Sequence, residues 1–236
     1  MNRFFTKSVA LIALVGAMTV FSTSKAEAAF VAYICNDVAC AGGDDTIVAD
    51  DTALDANLFP IPGLIPGYIR IGAVNVNGFE IVLNTSQSKP LIKGMDLAYQ
   101  VTNSGGGAGD VWLWAVDTDF VGPQNLKGIF NGNSGGAGSA MAMICHGAAN
   151  VSAPQDPTAG GAPCSFASDN AGPSFTFNFG HSALGNPYAL AIGVKISGIS
   201  AQDTATGDFR VVPEPASLAL LGLGLAGLAA RRRRQA

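Results

Sequence analysis

Gly132-Asn133-Ser134-Gly135-Gly136 places a serine in the spacing G-x-S-x-G. That spacing serves acyl transfer when a strand-to-helix turn lifts the hydroxyl toward a histidine base. The chain has two histidines, His146 and His181, and both follow the serine. A hydrolase order could be assembled from Ser134, Asp156 and His181, but it needs an α/β sheet. The residues after the serine, Ala137-Gly138-Ser139-Ala140-Met141, give no helix signal. A glycine-rich turn is therefore the expected state of this motif, and no catalytic residue is assigned.

Three other groupings could carry chemistry. Asp44, Asp45, Asp50, Asp51 and Asp55 cluster, and Asp117 and Asp119 lie two apart. Loop carboxylates of this kind can hold Ca²⁺, although no EF-hand spacing is present and solubilising turn aspartates are the simpler reading. Trp112 and Trp114 share one face of a strand and could stack on sugar rings. Val111, Leu113 and Ala115 make the other face apolar as well, so burial is expected for both indoles. Cys35, Cys40, Cys145 and Cys164 are an even set, which in an exported chain reads as two disulfides. Of the three possible pairings, the local one is expected, Cys35 with Cys40 and Cys145 with Cys164. Cys145 adjoins His146, but Cys35-x4-Cys40 lacks zinc spacing, and no metal site is assigned.

The elements that must position these residues read as strands. The clearest local signal is Asn77-Gly78 between the apolar runs Ile69–Val76 and Phe79–Asn84. Asn-Gly is the preferred two-residue type I′ hairpin turn, and it pairs Val76 with Phe79, Asn75 with Glu80 and Val74 with Ile81. Further runs cover 30–34, 46–49, 95–102, 111–120, 139–145, the alternating Phe175, Phe177 and Phe179, 188–199 and 209–212. Glycine, at 30 of 236 residues, falls in clusters between them. Glu80 is the one glutamate between residues 29 and 212, so helix-forming surface residues are scarce. The fold class is all-β, an antiparallel β-sandwich of jelly-roll type with nine or ten strands.

The two ends differ from this body. Arg3 and Lys7 precede an apolar stretch from Val9 to Phe21, and Ala26-Glu27-Ala28 forms an Ala-x-Ala cleavage site. This is a secretory signal peptide over 1–28, addressed to signal peptidase and the general secretion machinery. At the other end Pro213-Glu214-Pro215 leads into an uncharged apolar run, Ala216 to Ala230, and then Arg231 to Arg234. As a helix the run would be about 22 Å long, against a hydrocarbon core of about 30 Å. Flanking arginines can snorkel to the interface and stay on the cytoplasmic side.

Pro213-Glu214-Pro215, the apolar run and the arginine cluster together resemble the PEP-CTERM sorting domain. The resemblance covers residues 213–236. It implies insertion in the inner membrane, removal of the tail by an exosortase-type protease, and release to the cell surface or extracellular matrix of a Gram-negative bacterium. The opening Ile34-Cys35-Asn36-Asp37-Val38-Ala39-Cys40 is similar to that of uncharacterised proteins with the same tail and implies no activity.

Without its ends, the body at 29–212 loses Arg3, Lys7, Lys25, Glu27, Glu214 and the four terminal arginines. Six basic and fifteen acidic residues remain, a net charge of about −9. Nucleic acid, which requires clustered lysine and arginine, is thereby disfavoured. The expectation is a non-catalytic exported protein of structural or adhesive role, with exopolysaccharide as a partner. The alternative is a secreted carbohydrate-active enzyme, which would need two carboxyl groups facing across a cleft.

Overall fold

A computed structural model describes residues 30–40, 42–50, 55, 67–87, 94–107, 109–120, 125–135, 138–148, 164–169, 173–182 and 188–213. The signal segment with Ala26 and Ala28, and the tail from Glu214 and Pro215 onward, lie outside the described residues. So do Asp51 and Asp156.

Among the described residues twelve strands form two sheets: β1 Val31–Cys35, β2 Thr46–Ala49, β3 Tyr68–Val76, β4 Phe79–Gln87, β5 Met95–Asn103, β6 Asp110–Phe120, β7 Asn125–Ser134, β8 Ser139–Ala148, β9 Cys164–Asp169, β10 Ser174–Ser182, β11 Tyr188–Ser197 and β12 Thr204–Pro213. The first sheet runs β2-β1-β6-β11-β8-β9 and the second β10-β7-β12-β5-β4-β3, with all neighbours antiparallel. Within β5 to β12 the pairs β5·β12, β6·β11, β7·β10 and β8·β9 nest inside one another. That nesting is the connectivity of a jelly roll.

Every strand but β9 places residues in the core between the sheets, where Leu97, Val101, Leu113, Phe130, Ile144, Ile192 and Phe209 are fully buried. The Asn-Gly hairpin has the expected register. Asn77 and Gly78 both take positive φ, 49° and 80°, as type I′ requires. A side chain at Gly78 would also strike the backbone of Gly107 at 2.6 Å.

Two strands exceed the sequence expectation. Strand β7 contains Gly128, Gly132 and three asparagines, residues depleted in sheets. At position 128 a β-carbon would crowd Ile144, Phe179 and Phe209 at 3.0–3.1 Å. Strand β9 is short, and its inward residues, Ser165, Ala167 and Asp169, carry little apolar signal. The last strand is also longer than expected at both ends, 204–213 rather than 209–212. It ends on Pro213, which lacks the N–H that would continue the ladder.

Candidate functional site

The groupings singled out in the sequence separate in space. Ser134 is the last residue of β7 and is buried, rather than raised on a turn. Leu126, the ladder partner of His181, is eight residues away on the same strand, roughly 26 Å. Ser134 and His181 therefore cannot act on one substrate.

The aspartate cluster is engaged in holding loops. Asp45 accepts the amide of Asn36 on one oxygen (3.2 Å) and that of Gly42 on the other (2.7 Å). Asp50 accepts the amide of Gly67 (2.6 Å) and Asp55 that of Arg70 (2.9 Å). Asp117 is fully buried on the inward side of β6. Among the described residues no three metal-binding side chains converge. Asp45, Asp50 and Asp55 thus serve backbone donors.

The cysteines form two local bridges, Cys35–Cys40 and Cys145–Cys164. Both lie on the outer face of the first sheet, beside Trp112 and Trp114. The two indoles are stacked, with ring centroids 6.4 Å apart. Trp114 is fully buried and Trp112 nearly so. Lys195 lies over the Trp112 ring at 5.2 Å and pairs with Asp110 at 2.6 Å. The Trp114 ring rests on Gly193, where a β-carbon would come within 2.5 Å of it. One row crosses all six strands of this face: Ile47, Tyr33, Trp114, Gly193, Met143, Phe166. The indoles serve packing, and neither presents a ring for sugar stacking.

The second sheet has the opposite outer face. Its ladder sets mostly polar side chains in three rows across β10, β7, β12, β5 and β4. One row is Ser174, Asn133, Thr206, Gln100 and Val82. The next is Thr176, Asn131, Asp208, Ala98 and Asn84. The third is Asn178, Ile129, Arg210, Asp96 and Ser86. Thr206 donates to the Asn133 side chain at 2.6 Å. Asn131, Asn133, Ser174, Thr176, Thr206 and Asp208 line a shallow recess of about 450 Å³, with Tyr99, Gly132 and Gly207 completing its lining. A second recess of about 310 Å³ adjoins Asp96, Arg210 and Ser86.

Arg210 links the two recesses electrostatically. Its Nε donates to Asp208 at 2.7 Å and to Asp96 at 3.2 Å. Burial, and then the hydrogen bond and negative charge of Asp208, push the Asp96 carboxyl up to about 6, against the pull of Arg210. Asp96 and Asp208 thus share one guanidinium.

The sequence reading missed this surface. Its signal was present in Thr204 to Val211, where polar residues at even positions alternate with Ala205, Gly207, Phe209 and Val211. The pattern was legible as a half-buried strand, but the neighbours that complete the rows come from four other strands distant in sequence.

No curated protein sequence matches the chain. Solved structures similar to it include TmCBM61 in complex with β-1,4-galactotriose, at 11% identity over 56% of this chain and 88% of that one, TM-score 0.34. Another is the CBM36-1 domain of a multidomain xylanase from the hindgut metagenome of Trinervitermes trinervoides, at 11% identity over 58% and 98%, TM-score 0.28. A family 11 carbohydrate-binding module from Clostridium thermocellum, in complex with a β-1,3-1,4-mixed-linked tetrasaccharide, is 12% identical over 62% and 96%, TM-score 0.27. At these scores the likenesses assign no ligand. The family match is at the C-terminal end: residues 211–234 fit the model of the PEP-CTERM protein-sorting motif. The chain is a PEP-CTERM sorting domain-containing protein.

Proposed function

We propose that the chain is a non-catalytic exported cargo protein, released by an exosortase-type protease near Pro213-Glu214-Pro215, whose second sheet contacts extracellular polysaccharide. The sorting motif supports the destination. The observation that carries the binding role is the polar lattice across β10, β7, β12, β5 and β4. Asparagine and glutamine amides offer donors and acceptors together, and threonine and serine hydroxyls do the same. A sugar ring presents matching pairs of hydroxyls. The recess at Asn131, Asn133 and Thr206 is open enough for an extended chain to lie across several strands. The body's charge of about −9 favours a neutral polymer over a polyanion.

Two measurements test this reading. A glycan array with the exported protein is expected to return neutral oligosaccharides, and an empty array would contradict it. A reducing-sugar assay on the same glycans is expected to show no release; release would favour the carbohydrate-active enzyme instead. For the destination, mass spectrometry of the surface product is expected to give a chain from about Ala29 that ends near Pro213. An intact polyarginine terminus would contradict processing.

A further inference from the structure

One polar link crosses the interior of the sandwich. His146 on β8 and His181 on β10 belong to different sheets, and both are nearly buried, with 7% and 6% of their surface exposed. His146 Nδ1 and His181 Nε2 are 2.8 Å apart. The other nitrogen of His181, Nδ1, lies 3.0 Å from Ser165 Oγ on β9. With both rings neutral the chain closes in either tautomer, each hydrogen bond finding one donor and one acceptor. With both rings protonated, two N–H groups would face each other across 2.8 Å and the link must break.

The strand held by this link is an edge strand of the first sheet. Strand β9 pairs only with β8, and none of its residues is buried. Its attachments include the ladder, the Cys145–Cys164 bridge at one end, packing against β10 and the Ser165 contact. Edge elements with little apolar burial open locally at small free-energy cost. Facing it, β10 carries Phe177 and Phe179, which are only partly buried against the core. The link also sits where β12 leaves the fold, because Leu126 pairs with both His181 and Pro213.

We propose that His146, His181 and Ser165 form an acid-sensitive latch. It closes the seam between β9 and β10 at neutral pH. On acidification it releases β9 as a flap tethered at Cys164, uncovering Phe177 and Phe179. Burial, with the charge of His146 added, holds His181 down at about 4 in the closed state. The free imidazole lies near 6.5, so closure weakens as pH falls through that interval. Among the described residues, the other titratable or charged groups on the surrounding elements are Asp117 on β6, which shares Leu190 as a ladder neighbour with His146, Tyr188 on β11, Lys127 beside Leu126 on β7 and, four residues beyond Ser165 on β9, Asp169. Asp117 is the group whose own protonation could imitate the effect, and a histidine variant separates the two.

The test is hydrogen exchange on the full-length oxidised chain, corrected for intrinsic rates, at pH 7.5 and 4.5. Amides of 164–169 are expected to lose at least tenfold in protection at the lower pH, with apolar dye binding rising, while amides of β6 and β11 keep theirs. Unchanged β9 protection, or equal loss across both sheets, would overturn the latch. His181→Gln is expected to abolish the pH step; a step of the same size in that variant would assign it to Asp117 and overturn the proposal. Should the variant not fold, the wild-type imidazole Cε1–H titration decides. A His181 midpoint below about 5 supports the latch, and ordinary midpoints near 6.5 for both rings refute it.

Discussion

The two sheets share one core and turn opposite chemistries outward. On the first sheet, the outer row through Tyr33, Trp114, Gly193 and Met143 is buried beside two disulfides. Only its ends, Ile47 and Phe166, are exposed, at 51% and 52%. On the second sheet the corresponding surface is a lattice of amides, hydroxyls and paired charges in open recesses. A strand buried on both faces reads as continuous apolar sequence, and one buried on a single face alternates. Strands β11 (Tyr-Ala-Leu-Ala-Ile-Gly-Val) and β12 (Thr-Ala-Thr-Gly-Asp-Phe-Arg-Val) are the two cases side by side. The first sheet's outer face contributes stability, and the second sheet's outer face carries open polar recesses.

The largest expected effect comes from attacking the buried outer face. Trp114→Ala removes a fully buried indole and should cost about 4 kcal/mol of folding free energy, measured by urea unfolding. A loss below about 1 kcal/mol would mean that this face is not a second core. Next, Cys145→Ala with Cys164→Ala opens a loop of sequence separation 19 and should cost about 3 kcal/mol, read as a fall in melting temperature. A smaller effect than that of replacing Cys35 and Cys40, separated by 5, would contradict the loop-closure argument.

Acid titration sharpens the contrast, because a group inside the seam and one on the polar face act with opposite signs. Between pH 6.5 and about 4 the unfolded chain binds a proton at His181 that the folded chain resists, so stability falls as pH drops through that window. Asp96 is held up at about 6 against an ordinary 3.8, so the folded chain binds the extra proton and stability falls as pH rises from about 4 to 6. Its side chain is 33% exposed, which limits this contribution to under about 1 kcal/mol. Asp96→Asn should therefore steepen the acid-side loss, seen in urea melts at pH 4.5 and 7. A flattened profile in that variant would reverse the assignment. The smallest effect on stability belongs to the lattice itself: Asn131→Ala and Thr206→Ala should each stay within about 0.5 kcal/mol of wild type, checked by thermal melts.

How much of this was readable depended on whether a signal was local. The Asn77-Gly78 turn fixes its hairpin by backbone chemistry alone, so the register of β3 and β4 followed from a dipeptide. The aromatic pair at 112 and 114 announced its burial because both faces of its strand are apolar. The nearness of the cysteines within each pair made the local bridges readable. By contrast, β7 carries Gly128 where Phe179 and Phe209 of other strands approach closely, and nothing nearby in sequence reports that. The His146–His181 contact joins residues 35 apart on different sheets, and the polar rows draw on five strands. Both depend on strand order, which pairwise local signals do not set. The apparent serine motif failed for the related reason that its spacing carries meaning only with a strand-to-helix turn, and Ser134 closes a strand.

The central claim is that the polar outer face of the second sheet meets polysaccharide while the rest of the molecule supports it. Affinity electrophoresis in gels containing neutral polysaccharides tests it most directly, with wild type run beside the Asn131→Ala/Thr206→Ala double variant. The account predicts that at least one polymer retards the wild type and that the folded double variant migrates freely through the same gel. Equal retardation of both proteins, or free migration of the wild type in every gel, would contradict it.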